Sequence, residues 1–112
     1  MVNATLLRST LEHIKADPTQ WDQTRFSACF AGWTLRLNKP VTVETYDRAG
    51  TVLVLDGTPL TAMDIDREAG ALLGLDREQR IKLFFGGNSL EDLGLYVSAL
   101  TEGRPMPEHA CA

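Results

Sequence analysis

The sequence predicts an α+β fold, a mostly helical single domain of about five helices with one β-hairpin near residues 41–55. Apolar residues recur at the spacing i, i+4, i+7 on both sides of that segment, which is typical of amphipathic helices. The segment itself is rich in β-branched residues and is interrupted by a glycine turn. The 112 residues correspond to one compact domain, which we expect over 1–104, followed by a proline-containing mobile tail over 105–112.

The first helix is predicted over residues 3–16. Leu7, Leu11 and Ile14 share one face at helical spacing, and Asn3 is placed to cap the helix N-terminus. A proline follows two positions after the predicted end. Because a proline disfavours helical backbone at the residue before it, the helix is expected to stop there.

The second helix is predicted over about 25–37, where apolar side chains recur at i, i+4, i+7 and i+11. Two small residues in this segment, Ala31 and Gly32, would let another element approach closely. The apolar stripe, with a cysteine beside it, is expected to form the centre of the core and consists of Phe26, Cys29, Phe30, Trp33 and Leu37.

The hairpin is predicted from two β-branched segments on either side of a turn at residues 47–50. A glycine suited to the left-handed conformation at position 50 favours a type I turn followed by a bulge. The second strand is apolar on both faces over residues 52–55, so we expect it to be the more buried one. An isolated hairpin is marginal in water, so it must pack on the helices or pair with another chain.

Three helices are predicted after the hairpin. Thr61 and Asp64 have the spacing of a capping box, and Gly74 is suited to end the helix that they begin. The next helix begins at Asp76 and ends before a pair of glycines. The last helix is opened by the segment NSLEDL at residues 88–93 and carries another apolar stripe.

Composition and charge narrow the classes of partner. A formal charge of −4, with basic residues scattered singly, argues against a nucleic-acid or anionic-membrane surface. No apolar stretch reaches the roughly 20 residues that cross a bilayer, and no signal-peptide pattern is present, so a cytoplasmic protein is expected. The two cysteines and two histidines show no paired ligand spacing, so no metal or other cofactor is expected.

Cys29 is the candidate nucleophile in this sequence. A nucleophilic cysteine needs a lowered pKa and a base, and nothing in the spacing selects His13 or His109 as that base. Free cysteine is among the most frequently buried residue types, which favours a place in the core. No catalytic residue is therefore assigned, and a small cysteine-dependent enzyme or redox protein using Cys29 is the alternative.

Five short motifs follow one another along the chain: W-[DN]-Q at 21–23, C-x-A-G-[WH] at 29–33, L-G-L at 73–75, L-F at 83–84 and [ST]-L-[ED]-D-L at 89–93. In this order and spacing they resemble a family of small uncharacterised proteins from actinobacteria and their phages. The resemblance covers nearly all of residues 10–100. It implies a source and a size, and it brings no established activity.

The function expected from these observations is that of a small non-enzymatic protein-interaction or regulatory protein. Its expected source is a phage or mobile element, and its expected target is a host protein. No catalytic constellation is visible in the sequence, and the edge of the predicted hairpin is open to pairing with another chain. In a homo-oligomer, the unpaired backbone groups of this edge would pair with a second copy of the chain.

Overall fold

In the part of the chain that the structure describes, two α-helices precede a three-stranded sheet and three follow it, so the predicted, mostly helical α+β fold is confirmed. The computed structural model describes residues 1–46 and 50–107. In chain order the elements are α1 (Ala4–Ala16), a 3-10 turn (Pro18–Gln20), α2 (Phe30–Asn38), β1 (Val41–Tyr46), β2 (Gly50–Leu55), β3 (Thr58–Pro59), α3 (Ala62–Leu73), α4 (Arg77–Leu83) and α5 (Leu90–Thr101).

Four of the helices begin at polar side chains that accept hydrogen bonds from backbone N–H groups of the first turn. A helix leaves these groups without an internal partner, so a cap stabilises its start. Asn3 Oδ1 accepts from the Leu6 N–H at 3.1 Å at the start of α1. Reciprocal capping boxes begin the last three helices and are formed by the pairs Thr61–Asp64, Asp76–Gln79 and Ser89–Asp92. The predicted starts of α1, α3 and α4 are thereby confirmed.

The second helix is shorter than predicted. It begins at Phe30, with Cys29 as its N-cap, rather than several residues earlier. The segment before it forms successive turns, in which Asp22 Oδ1 accepts a hydrogen bond from the Thr24 N–H at 3.0 Å. Such local side-chain bonds to the backbone compete with helical pairing, which explains why the apolar spacing alone overestimated the helix.

Three of the five predicted core residues are buried, namely Cys29, Phe30 and Trp33. The prediction is wrong for Phe26 and Leu37, whose side chains are 38% and 41% exposed. Phe26 lies in a turn before α2 and is therefore not part of a helical stripe. Leu37 lies in the last turn of α2, beyond residue 35, where continuous burial along this helix ends.

β1 and β2 form the predicted antiparallel hairpin. The predicted turn residues 47–49 lie outside the described residues, whereas Gly50 has a φ of 72°, the left-handed conformation expected of it. The strand β3 was not predicted. Asp56 and Gly57, with φ values of 53° and 77°, reverse the chain so that β3 pairs with the end of β2. An Asp-Gly pair is a strong hairpin signal, but the strand that follows it here is only two residues long.

The core lies between the helices and β2. Leu53 and Val54 are buried while residues 42–45 of β1 are exposed, so the prediction that the second strand is the more buried one is confirmed. The helix α2 packs against α1 and α3, and α5 packs against α1. The largest apolar side chains with almost no exposure are Phe30, Leu7, Ile14, Leu35, Leu53, Leu73, Leu83 and Leu93.

The chain continues in contact with this core after α5. Met106 is half-buried against the core, although the sequence placed it in a tail beginning at residue 105. The last five residues, which include His109 and Cys111, lie outside the described residues. None of the described helices is long and apolar enough to cross a membrane.

Candidate functional site

Cys29 is 1% exposed at the N-cap of α2. Its Sγ–H group donates to the Phe26 carbonyl oxygen at 3.7 Å. Burial raises the pKa of the Cys29 thiol, because the interior disfavours the charged thiolate. His13, which could have served as a base, packs on the Trp33 ring instead, with 4.5 Å between the ring centroids. This arrangement favours a protonated thiol that fills space in the core.

Metal ligands do not converge in the part of the chain that the structure describes. Within residues 1–46 and 50–107, no group of three or more His, Cys, Asp or Glu side chains is placed to hold a metal ion. Several described carboxylates instead form helix caps or surface ion pairs, such as Arg25–Asp22 at 3.2 Å.

Gln23, the last residue of the W-[DN]-Q motif, organises the segment before α2. Its side chain is buried, and its Oε1 accepts hydrogen bonds from Trp21 Nε1 at 3.0 Å and from the Phe30 N–H at 3.1 Å. Its Nε2 donates to the carbonyl oxygens of Leu83 and Phe85, both at 3.1 Å. The four bonds use both donors and two acceptor positions of one amide, so Gln23 joins this segment to the start of α2 and the end of α4.

The segment from 21 to 29, which we call the 21–29 loop, also folds back over α2. A β-carbon at Gly32 would overlap the Phe26 carbonyl oxygen and would lie 2.7 Å from the Ser27 carbonyl carbon. The Arg36 guanidinium donates to the Ser27 carbonyl oxygen at 3.3 Å and lies 3.9 Å from the centre of the Trp33 ring. The small residue in the C-x-A-G-[WH] motif is thus required for the loop to pack on the helix.

The fold brings three large apolar side chains to one groove between the 21–29 loop and α4. Phe26, Ile81 and Phe85 line this groove and are 38%, 58% and 46% exposed. Cys29 and Phe84 line it as well, but both are buried. The groove encloses about 350 Å³. We refer to it as the α4 groove.

One side of the α4 groove is polar. Arg80 and Asp66 line it and form an ion pair, with 3.2 Å between Nε and Oδ2. Arg77 lies one helical turn before Ile81, so the two residues share a face of α4. Arg77 is exposed and forms no ion pair within the described residues. Positive charge is therefore available beside the apolar surface.

Phe26 also borders a second cavity, of about 250 Å³, on the other side of the 21–29 loop. Residues of β2 and α3, including Val52 and Ile65, form its opposite wall. Phe26 therefore lines two concave surfaces. The sequence predicts Phe26 in the core, and it contains no signal that identifies Ile81 or Phe85 as surface residues.

No protein-family model matches the chain, and neither a curated protein nor a solved structure matches it. The resemblance to small proteins of actinobacteria and their phages therefore stays a prediction. The structure gives two of its motifs a local role, since Gln23 connects three segments and Gly32 permits a close approach.

Proposed function

We propose that the protein is a non-enzymatic protein-interaction protein whose α4 groove binds an amphipathic helix of a partner protein. The observation that carries the proposal is the convergence of Phe26, Ile81 and Phe85 on one groove from two distant segments. Single exposed apolar residues are ordinary on protein surfaces, whereas several apolar side chains that line one concave surface favour the binding of a partner.

The apolar side chains of the groove offer useful binding energy. Burying a large apolar side chain completely contributes about 1.5–3 kcal/mol. Phe26, Ile81 and Phe85 are each about half exposed. A partner that covered all three would gain roughly 3 kcal/mol, which corresponds to about a hundredfold in Kd.

A helix suits the α4 groove better than an extended peptide. A helix satisfies its own backbone hydrogen bonds and presents apolar side chains at i, i+4 and i+7. An extended peptide needs backbone partners, but the amide of Gln23, which lines the groove, is already used in four internal bonds. The groove therefore offers mainly apolar side chains, which an amphipathic helix can cover without leaving its own backbone groups unpaired.

The positive charge of Arg77 predicts a negative charge at one end of the partner helix. Arg77 is exposed on the same face of α4 as Ile81 and has no ion-pair partner within the described residues. We expect the bound helix to carry a carboxylate beside its apolar face, where it would meet this guanidinium. The resemblance to phage proteins adds the expectation that the partner is a host protein in the cytoplasm.

The alternative, a cysteine-dependent enzyme or redox protein, gains no support from the position of Cys29. Such chemistry needs an accessible thiolate. The thiol is 1% exposed and burial raises its pKa. We therefore assign Cys29 to the inner wall of the α4 groove, where it supports the apolar surface.

The proposal can be tested with a displayed library of helical peptides in which one face is randomised. We expect the wild-type protein to enrich peptides with large apolar residues at i, i+4 and i+7 and a carboxylate at one end. Ile81→Asp should weaken their binding at least about tenfold, because it places a charge in the apolar contact. Met63→Asp is the matched control, since Met63 is 77% exposed on α3 and does not line the groove.

A second arm examines the charge. Arg77→Glu should weaken the binding of the enriched peptides, and replacing their carboxylate residue with lysine should restore it. The proposal fails if no peptide is enriched. It also fails if the enriched peptides bind the Ile81→Asp and Met63→Asp variants equally well.

A further inference from the structure

We propose that the outer edge of β1 pairs with the same edge of a second copy of this chain, which forms one continuous six-stranded antiparallel sheet. The two-fold axis would lie midway between Val43 and its own copy. This inference does not depend on the α4 groove, because β1 contributes no residue to that surface.

The two edges of the sheet differ in length. The strand order is β1-β2-β3, so β1 is one edge and β3 the other. β3 has only two residues, one of which is Pro59, and a proline lacks the N–H group that pairing requires. β1 has six residues, and it contains neither a proline nor a lysine, the residues that commonly protect an edge. The β1 edge is therefore the one suited to accept another strand.

The inward face of the sheet extends beyond the body of the protein at β1. Val43 lies directly opposite Leu53 in the register, so the two side chains are on the same face. Leu53 is fully buried, whereas Val43 is 44% exposed. An apolar side chain thus remains at the surface although it lies on the core side of the sheet. A neighbouring strand with a valine in the same place would cover it.

The geometry of a two-fold contact restricts the register. A two-fold axis perpendicular to the sheet pairs residues that lie on the same face, so one residue must face its own copy across the axis, and each axis is named here by that residue. Passing it through Thr42 would align only residues 41–43 of the two strands. Passing it through Val43 or Glu44 would align five residues of each strand, 41–45 or 42–46.

Charge decides between the two longer registers. An axis through Glu44 would place the two copies of this carboxylate directly opposite each other, which is destabilising. An axis through Val43 places Val43 opposite its own copy and Glu44 opposite Thr42 of the second copy. That register covers the exposed valine and separates the acids.

The contact is small, and this sets the expected affinity. A stable interface uses about 20–30 residues on each side, whereas this pairing uses one short strand. We therefore expect a reversible dimer that forms as concentration rises. Sedimentation velocity from about 10 µM to about 1 mM should show a concentration-dependent shift from monomer to dimer.

Charged variants of Val43 test the register. Val43→Lys should raise the dimer Kd at least about tenfold, because two lysines would then face each other across the axis. Thr45→Lys is the matched control, since it adds the same charge to the same face of β1 but lies opposite Val41 of the second copy. It should change the Kd less than about threefold.

The decisive experiment mixes two variants. Val43→Lys and Val43→Glu should each be monomeric at about 100 µM, and an equal mixture should form a dimer, because unlike charges then meet across the axis. A wild-type protein that stays monomeric at about 1 mM overturns the proposal. So does a dimer that Val43→Lys and Thr45→Lys weaken equally, or a mixture that does not associate. Unchanged thermal melts will establish that the variants fold, which the exposure of Val43 favours.

Discussion

The side-chain amide of Gln23 donates a hydrogen bond to the Phe85 carbonyl oxygen, 3.1 Å away and 62 positions along the sequence. The same Nε2 donates to the Leu83 carbonyl oxygen at 3.1 Å. These two bonds hold the loop that carries Phe26 against the end of α4. Both walls of the α4 groove are therefore fixed before a partner arrives, which lowers the entropic cost of binding.

Gln23→Leu should lower the free energy of unfolding by about 3–5 kcal/mol. The leucine fills a similar volume but removes the acceptor of the Phe30 N–H and of the Trp21 indole N–H. It also removes one of the two hydrogen bonds that each of the Leu83 and Phe85 carbonyl oxygens accepts. Urea unfolding measures the change. Gln20→Leu is the control, because the Gln20 side chain is exposed and the substitution should cost less than about 0.5 kcal/mol. Equal effects of the two substitutions would contradict the role assigned to Gln23.

Gly32→Ala should destabilise the protein by several kcal/mol, since the new methyl group would overlap the backbone of the 21–29 loop at Phe26 and Ser27. Gly94→Ala in α5 is the matched substitution. A methyl group there meets nothing within 4 Å, and alanine is favoured over glycine in a helix, so stability should rise by about 0.5–1 kcal/mol. Thermal or urea unfolding of both variants tests the opposite signs, and a stabilised Gly32→Ala protein would show that the loop does not pack on α2.

The elements that sequence reasoning located best are those specified by local signals. Asn3 and Thr61 cap helices within three residues of themselves, and Gly74 ends α3 in the left-handed conformation. The α4 groove carries no such signal, because Gln23 and Phe85 meet only in the folded chain. A period of apolar residues predicts which face of a helix is buried, but it does not show where the helix begins.

The error at Phe26 illustrates this difference. Its spacing to Phe30 and Trp33 is helical, and an isolated stripe of that kind favours burial. The side chain of Asp22 accepts hydrogen bonds from Thr24 and forms a turn where the first helical turns were predicted. The spacing of apolar residues contains no information about this turn. The hydrogen bonds from the Thr24 hydroxyl and N–H groups also lower the pKa of the Asp22 carboxyl group.

Trp33→Ala should lower the free energy of unfolding by about 3–5 kcal/mol, as for other buried aromatic residues. Trp33 is 9% exposed, its Nε1 donates to the Gln20 carbonyl oxygen at 3.2 Å, and its ring centroid lies 4.5 Å from that of His13. Trp33→Phe keeps an aromatic ring, so it should lower the free energy of unfolding by less than half as much as Trp33→Ala does. A melting temperature of Trp33→Ala within a few degrees of wild type would show that the indole is a surface group.

Cys29 should react slowly with a thiol reagent in the folded protein at neutral pH. The side chain is buried and burial raises the pKa of the thiol, so little accessible thiolate is present. Cys111→Ser supplies the background in which Cys29 is the single cysteine. The reaction should become fast only in denaturant. Fast labelling of the native protein with an acidic pH midpoint would favour the enzyme alternative.

The pH dependence of stability gives a second measure of the same thiol. In the unfolded chain the thiol releases its proton above about pH 8.5, whereas the raised pKa keeps it protonated in the folded protein. The unfolded state therefore binds fewer protons in this window, and the stability contributed by Cys29 is complete below about pH 8 and falls as the pH rises. Cys29→Ala removes this titration. Its cost, about 1–2 kcal/mol at pH 7 for a small buried group, should shrink between about pH 8 and pH 10 when both proteins are unfolded in urea. A cost that stays constant over that range would contradict the raised pKa of Cys29, and a cost that grows would mean that the folded protein favours the thiolate.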